Sequence, residues 1–176
     1  MSRLFATESG AVAKRYLLFS FAFLFIGGWL ALLMRWQLGY PGQAVPATLG
    51  GGLLPQEMAP DGVILPDTYN GLMTMHATFM VYFAVLPVLV GFFGNLLVPL
   101  QIGAERAAYP RLNALAFWLM IPAGAMMIAG FFVEGGPASS GWTAYPPLSV
   151  FTGFSGSGLG MNLWIVALIV VGVSLI

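Results

Sequence analysis

Charged residues in this sequence sit between long apolar stretches rather than within them. The first apolar run spans Tyr16 to Met34, between Lys14-Arg15 and Arg35. The second covers about Gly71 to Leu100, inside a stretch with no Asp, Glu, Lys or Arg between Asp67 and Glu105. The third extends over about Leu112 to Val133, and the fourth from about Met161 to the last residue, Ile176. A hydrocarbon core of about 30 Å needs ~20 apolar residues per helix, and the first three runs meet that length. The second exceeds it at ~1.5 Å per residue and must tilt or protrude. The fourth, 16 residues without a cap or a flanking charge, reads as the start of a further span. The pattern predicts one all-α domain over residues 1–176, a polytopic transmembrane helix bundle of three full spans and the beginning of a fourth. On this reading the sequence is the N-terminal part of a longer chain, truncated at its C-terminus.

Composition agrees with that pattern and removes several function classes. The chain is 59% hydrophobic and only 7% charged, whereas a soluble domain needs roughly a quarter of its residues charged. It is not water-soluble by itself. The first run is too long for a secretory signal and lacks its small-residue cleavage pattern, so it reads as a retained helix. With no Cys, disulfides, thiolate metal sites and cysteine nucleophiles are excluded. The net charge is zero, and no basic block offers a nucleic-acid footprint.

The placement of charge gives a direction. Arg3, Lys14 and Arg15 precede the first run, and Arg106 and Arg111 lie between the second and third. The other connections hold Arg35 with Glu57, Asp61, Asp67 and Glu134. Five of the six basic residues thus fall on one side, which the positive-inside rule makes cytoplasmic. The N-terminus is then inside. The Gly- and Pro-rich loop from about Gly39 to Thr68 and the loop from Gly135 to Gly160 are outside. No internal repeat is visible.

One residue breaks the apolar monotony of the second run: His76, the only histidine in the chain. An ionisable group within the bilayer is a functional hypothesis by default, because leaving it unsatisfied costs several kcal/mol. Neutral imidazole ligates metals and serves as an axial ligand of haem iron. A ligand role, a proton-handling role and a packed imidazole hydrogen-bonded to a neighbouring helix all stay open on the residue alone. One and two turns on lie Met80 and Phe83, followed by Pro87. They offer an apolar wall suited to a flat macrocycle, or plain helix packing. Met80 lies on the same helix as His76, so it cannot supply the opposite axial ligand. Ala77, Ala84 and Gly91 would let other helices come close, and Pro87 predicts a kink whose freed backbone groups neighbours must satisfy. Arg35, at the outer end of the first run, shares a helical face with Gly28 and Ala31, a small surface that permits close approach. It either snorkels to headgroups or holds the polar edge of a planar cofactor at about the depth of His76.

At "YNGLMTMHATFMVYFAVLPVLVGFFGNLLVPLQIG", "YPRLNALAFWLMIPAG", "GWTAYPPLS" and "RWQLGYPG" the sequence resembles subunit I of the haem–copper terminal oxidases, cytochrome c oxidase in particular. The likeness covers nearly the whole chain, in matching order and spacing. It implies an oxidoreductase of the bacterial inner membrane that reduces oxygen to water. Electrons would pass through a low-spin haem, expected as haem A, to a centre of high-spin haem and copper B, coupled to proton pumping. Cytochrome c is the implied donor and other oxidase subunits the implied partners. The resemblance makes His76 the axial ligand of the low-spin haem iron and Arg35 the arginine at its formyl edge. Tyr69, Met80 and Trp142 line the same pocket, and Asn95 and Asn113 belong to a proton route from the cytoplasmic side.

Departures from the family pattern are equally specific. Arg106 stands where the proton route usually opens with an aspartate, leaving neighbouring Glu105 as the carboxylate that would replace it. Ala114 replaces the second asparagine of a pair, and Gln37 replaces a glutamate that helps hold an outer-face cation. The loop from Gly42 to Pro66 is longer than usual. The copper and high-spin haem ligands and the second axial histidine belong to later helices, so no catalytic residue is expected here. Two rivals remain: a quinol-fed oxidase, and a non-catalytic membrane scaffold in which His76 is simply packed.

Overall fold

Within a hydrocarbon layer a segment satisfies its backbone N–H and C=O groups by closing on itself, so each charge-free run becomes a helix. The computed structural model describes residues 6–150 and 158–175. Its main elements are α1 (Ser9–Gly39), α2 (Pro66–Gln101), α3 (Pro110–Phe132) and α4 (Gly158–Ser174). Among the described residues there is no strand. Arg3, positions 151–157 of the loop before α4 and Ile176 lie outside the described residues. Helices α1, α2 and α3 are long and apolar enough to cross a membrane, while α4 has 17 residues.

Each helix begins before the apolar stretch that predicts it. Helices α2 and α3 both open on proline, whose missing N–H is one of the unbonded donors of a first turn anyway. Pro87 is different, because it lies in mid-helix. Its ring crowds the preceding turn and removes one hydrogen bond. The helix answers with wider turns: Leu86 N–H bonds to Val81 O and Gly94 N–H to Leu89 O, each five residues back. The expected kink is thus absorbed as two consecutive π-helical stretches, Phe79–Val85 and Pro87–Phe93.

Helices α1 and α2 lie antiparallel, as a ladder of contacts shows. Phe23 meets Phe79 and Phe83 with ring centroids 5.2 and 4.9 Å apart, and nearer the other end Tyr16 lies over Gly91. A Cβ at position 91 would fall 2.3 Å from the Tyr16 ring. Helix α3 closes on the same aromatic group through Gly124, where a Cβ would fall 2.6 Å from Phe23. Helix α4 is fixed to α3 by Ser174 Oγ donating to Ala116 O (2.8 Å), and to α2 by Trp164 Nε1 donating to Thr78 Oγ1 (3.0 Å). The core at this junction is fully buried: Leu30, Leu33, Met75, Phe79, Phe83 and Met120.

The two ends of the bundle differ. At one, Ala107 N–H bonds to Ser9 Oγ at 2.9 Å, which joins the loop carrying Arg106 to the helix start carrying Lys14 and Arg15. At the other, the long loop after α1 folds back as an ordered cover. Trp29 Nε1 donates to Leu49 O (2.8 Å), Val45 N–H to Gly62 O (2.9 Å) and Thr68 Oγ1 to Met58 O (2.6 Å). Leu54, Met58, Ala59 and Ile64 are buried beneath it.

The glycine contacts make a paired prediction for the full-length protein. Gly91→Ala drives a methyl into the Tyr16 ring and should cost about 1–3 kcal/mol, as overpacking does. Gly28→Ala, with nothing within 4 Å of the new Cβ, should be neutral or slightly stabilising. Thermal unfolding midpoints would separate the two, and equal midpoints would show that the Tyr16–Gly91 contact is not tight.

Candidate functional site

His76 is half-buried on α2 and faces α1, where its Nδ1 lies 2.8 Å from Gly27 O. A carbonyl only accepts, so Nδ1 carries the proton and donates. In a neutral imidazole that bond fixes the tautomer and leaves the Nε2 lone pair bare. Gly27 O can accept this bond in addition to its own helical one because a carbonyl has two lone pairs. Glycine makes the approach easy: a Cβ at position 27 would lie 3.0 Å from Met80 Sδ, so that flexible side chain would have to give slightly, and 3.5 Å from Phe79 Cβ. Gly28 has nothing within 4 Å. The small face expected at Gly28 and Ala31 is therefore not where the helices meet. The contact is one residue earlier, a rotation of ~100° about the helix axis.

The other residues singled out from the sequence are placed unevenly. Met80 is half-buried against Gly27, one turn beyond His76. Phe83 is fully buried among Phe19, Phe23 and Phe79, so the apolar wall expected beyond the imidazole ends at Met80. Tyr69 packs half-buried against the core two turns before His76. Trp142 is 46% exposed, with its ring 6.3 Å from that of Tyr82. Arg35 is exposed on α1, eight residues and ~12 Å of helix beyond Gly27. Beside it, Trp36 Nε1 and Gln37 Oε1 are buried with no hydrogen-bond partner among the described residues. Such atoms ordinarily have one.

A polar chain behind His76 was not foreseen. Thr74 Oγ1 donates to Asn70 O (2.9 Å) and accepts from Gly141 N–H (2.9 Å). Thr78 Oγ1 donates to Thr74 O (2.8 Å) and accepts from Trp164 Nε1–H. These bonds fix the rotation of α2 about its own axis, and with it the direction of the imidazole. Two threonines four residues apart in an otherwise apolar run were the available clue.

At the other end of the bundle Asn95 and Asn113 are hydrogen-bonded to each other in both directions, and Asn95 Nδ2 also donates to Gly91 O at 2.8 Å. They line a cavity of about 350 Å³ together with Tyr16 and Ser174. Glu105 and Arg106 are exposed and do not line it. The structure thus brings the two asparagines together but leaves Glu105 apart from them.

Comparison with known proteins decides the family. The family described as "Cytochrome C and Quinol oxidase polypeptide I" matches residues 11–176. The chain belongs to it. Among similar proteins, "Cytochrome c oxidase subunit 1" of Thermostichus vulcanus is 41% identical over 170 residues, 97% of this chain and 26% of the relative. The protein of the same name from Synechocystis sp. is 40% identical over the same shares. The chain therefore spans about a quarter of the length of these relatives. Membership in the cytochrome c and quinol oxidase polypeptide I family, with bacterial relatives and three membrane-length helices, makes this an integral membrane protein. The family implies haem and copper in the full protein. Among the described residues no group of three or more His, Cys, Asp or Glu could hold a metal.

The polar chain behind His76 can be tested by a double-mutant cycle. Thr78→Val leaves the Trp164 N–H buried without its acceptor and should cost about 1–3 kcal/mol. In a Trp164→Phe background the same change should cost much less, because no donor is left stranded. Additive losses in thermal midpoint would mean that the two side chains do not act as a pair.

Proposed function

We propose that in the full-length protein His76 supplies one axial bond to a low-spin haem iron within an oxygen-reducing oxidase. The supporting observation is the Nδ1–Gly27 O bond. It presents a neutral imidazole with Nε2 free, and metal-ligating histidines typically donate their other N–H in this way. When bound, the haem supplies one-electron transfer toward a haem–copper centre that reduces oxygen to water. The residues of this chain hold and orient. Gly27 O fixes the imidazole plane, Met80 packs beside it, and Tyr69 and Trp142 flank the same pocket. Arg35 offers a positive charge to the haem's polar edge, which favours the reduced state. The opposite axial ligand, the second haem and the copper ligands come from the remainder of the protein, so this chain alone is inactive. Asn95 and Asn113 serve a proton route for pumping. Glu105 is its entrance carboxylate only if the loop it sits on moves toward the pair.

Cytochrome c is the proposed donor, in keeping with the names of the relatives. The family's own description also admits quinol. The proposed setting is the bacterial inner membrane with the N-terminus in the cytoplasm, supported by Lys14, Arg15, Arg106 and Arg111 lying toward one end of the bundle. A packed, non-ligating His76 would also satisfy Nδ1 through Gly27, but it gives no use for Nε2.

In the full-length oxidase, His76→Ala should abolish the low-spin haem spectrum while leaving the protein inserted. An unchanged spectrum and redox titration would remove His76 from the site. Arg35→Met should keep the haem but shift its spectrum and lower its midpoint potential. An unaltered potential would support an arginine that only snorkels. Reporter fusions after Glu57 and after Arg106 should report opposite compartments, and the same compartment for both would overturn the topology.

A further inference from the structure

Beneath the long outer loop lies an apolar slot of about 230 Å³, walled by Ile26 and Leu30 of α1, Phe79 of α2, Ile128 and Phe131 of α3 and Leu54 of the loop. It has room for roughly eight groups the size of a water molecule or a methylene, and its lining offers a water almost no hydrogen bond. Adjoining it is a wider cavity of about 770 Å³. The two share Pro55, Phe131 and Phe132. The wider cavity is lined by Glu57, Asp67 and Glu134 and by no Lys or Arg.

We propose that this pair of cavities binds one phospholipid of the outer leaflet with an ammonium headgroup, part of one acyl chain in the slot and its amine among the carboxylates. The slot opens among helices of membrane length, where the surrounding medium is acyl chain rather than water. An apolar recess at that depth is filled by what the bilayer supplies. The headgroup end is selected by charge. Three exposed carboxylates lining one cavity repel a net anionic head and attract an ammonium group. His76, Met80 and Arg35 line neither cavity, so the lipid site is separate from the haem site. It also gives the long outer loop a function, since Leu54 and Glu57 of that loop contribute to both halves.

The test uses the full-length oxidase reconstituted in vesicles of equal phosphatidylethanolamine and phosphatidylglycerol, re-extracted in detergent and examined by native mass spectrometry. The wild type should retain phosphatidylethanolamine in preference to phosphatidylglycerol. Leu54→Trp should fill the slot and lose the retained lipid. Asp67→Asn with Glu134→Gln should keep a lipid but lose the preference, with an unchanged low-spin haem spectrum reporting an intact fold. Should Leu54→Trp fail to assemble, the charge variant decides alone. Equal retention of both lipids by the wild type, a preference that survives the charge variant, or no retained lipid because the rest of the chain fills the slot would each overturn the proposal.

Discussion

A buried imidazole facing a helix that has no polar side chain at that depth has one kind of partner left, a backbone carbonyl. Between Ser20 and Arg35, α1 carries no hydroxyl, amide or charged side chain, and the acceptor His76 finds is Gly27 O. A carbonyl inside a helix already has its own N–H, so reaching it requires the second helix to come in very close. Glycine eases that here, with the flexible Met80 sulfur 3.0 Å from where a Cβ would be. The register of α1 against α2 follows from this point. It sets Phe23 between Phe79 and Phe83, and Tyr16 over Gly91.

In a bilayer, burial gives helices little reason to prefer one another, so small residues and interhelical hydrogen bonds decide how they meet. Each junction in this bundle uses one or both. Gly27 and Gly91 serve α1–α2, Gly124 serves α1–α3, the Asn95–Asn113 pair serves α2–α3, and Thr78 with Trp164 serves α2–α4. The same polar contacts that assemble the helices orient the functional groups. Thr74 and Thr78 hold the rotation of α2 that aims His76 at Gly27. The asparagines form a mutual pair before they can serve any proton route.

Much of this was legible in the sequence because the membrane simplifies the code. Absence of charge marked the helices, and a lone histidine inside one of them marked the candidate site. The quoted motifs carried the family. What was not legible depends on helix phase and on side chains meeting across space. Gly27 and Gly28 are adjacent in sequence but lie ~100° apart on the helix, and only the packed structure shows which one meets α2. Phe83 shares a face with His76 by spacing, yet the widened turns around Pro87 and the arrival of α1 and α3 draw it into the aromatic core. The long outer loop looked like excess length. Its hydrogen bonds to Trp29 and Thr68 make it a cover over the helix ends.

The proposed site is one imidazole that holds a carbonyl with one nitrogen and would offer the other to an iron. A high-resolution structure of the full-length haem-loaded oxidase tests that directly. The result predicted is density that joins His76 Nε2 to the low-spin haem iron while Nδ1 keeps its hydrogen bond to Gly27 O. A haem ligated by other residues, or a His76 ring that turns Nε2 toward protein or lipid, would contradict it.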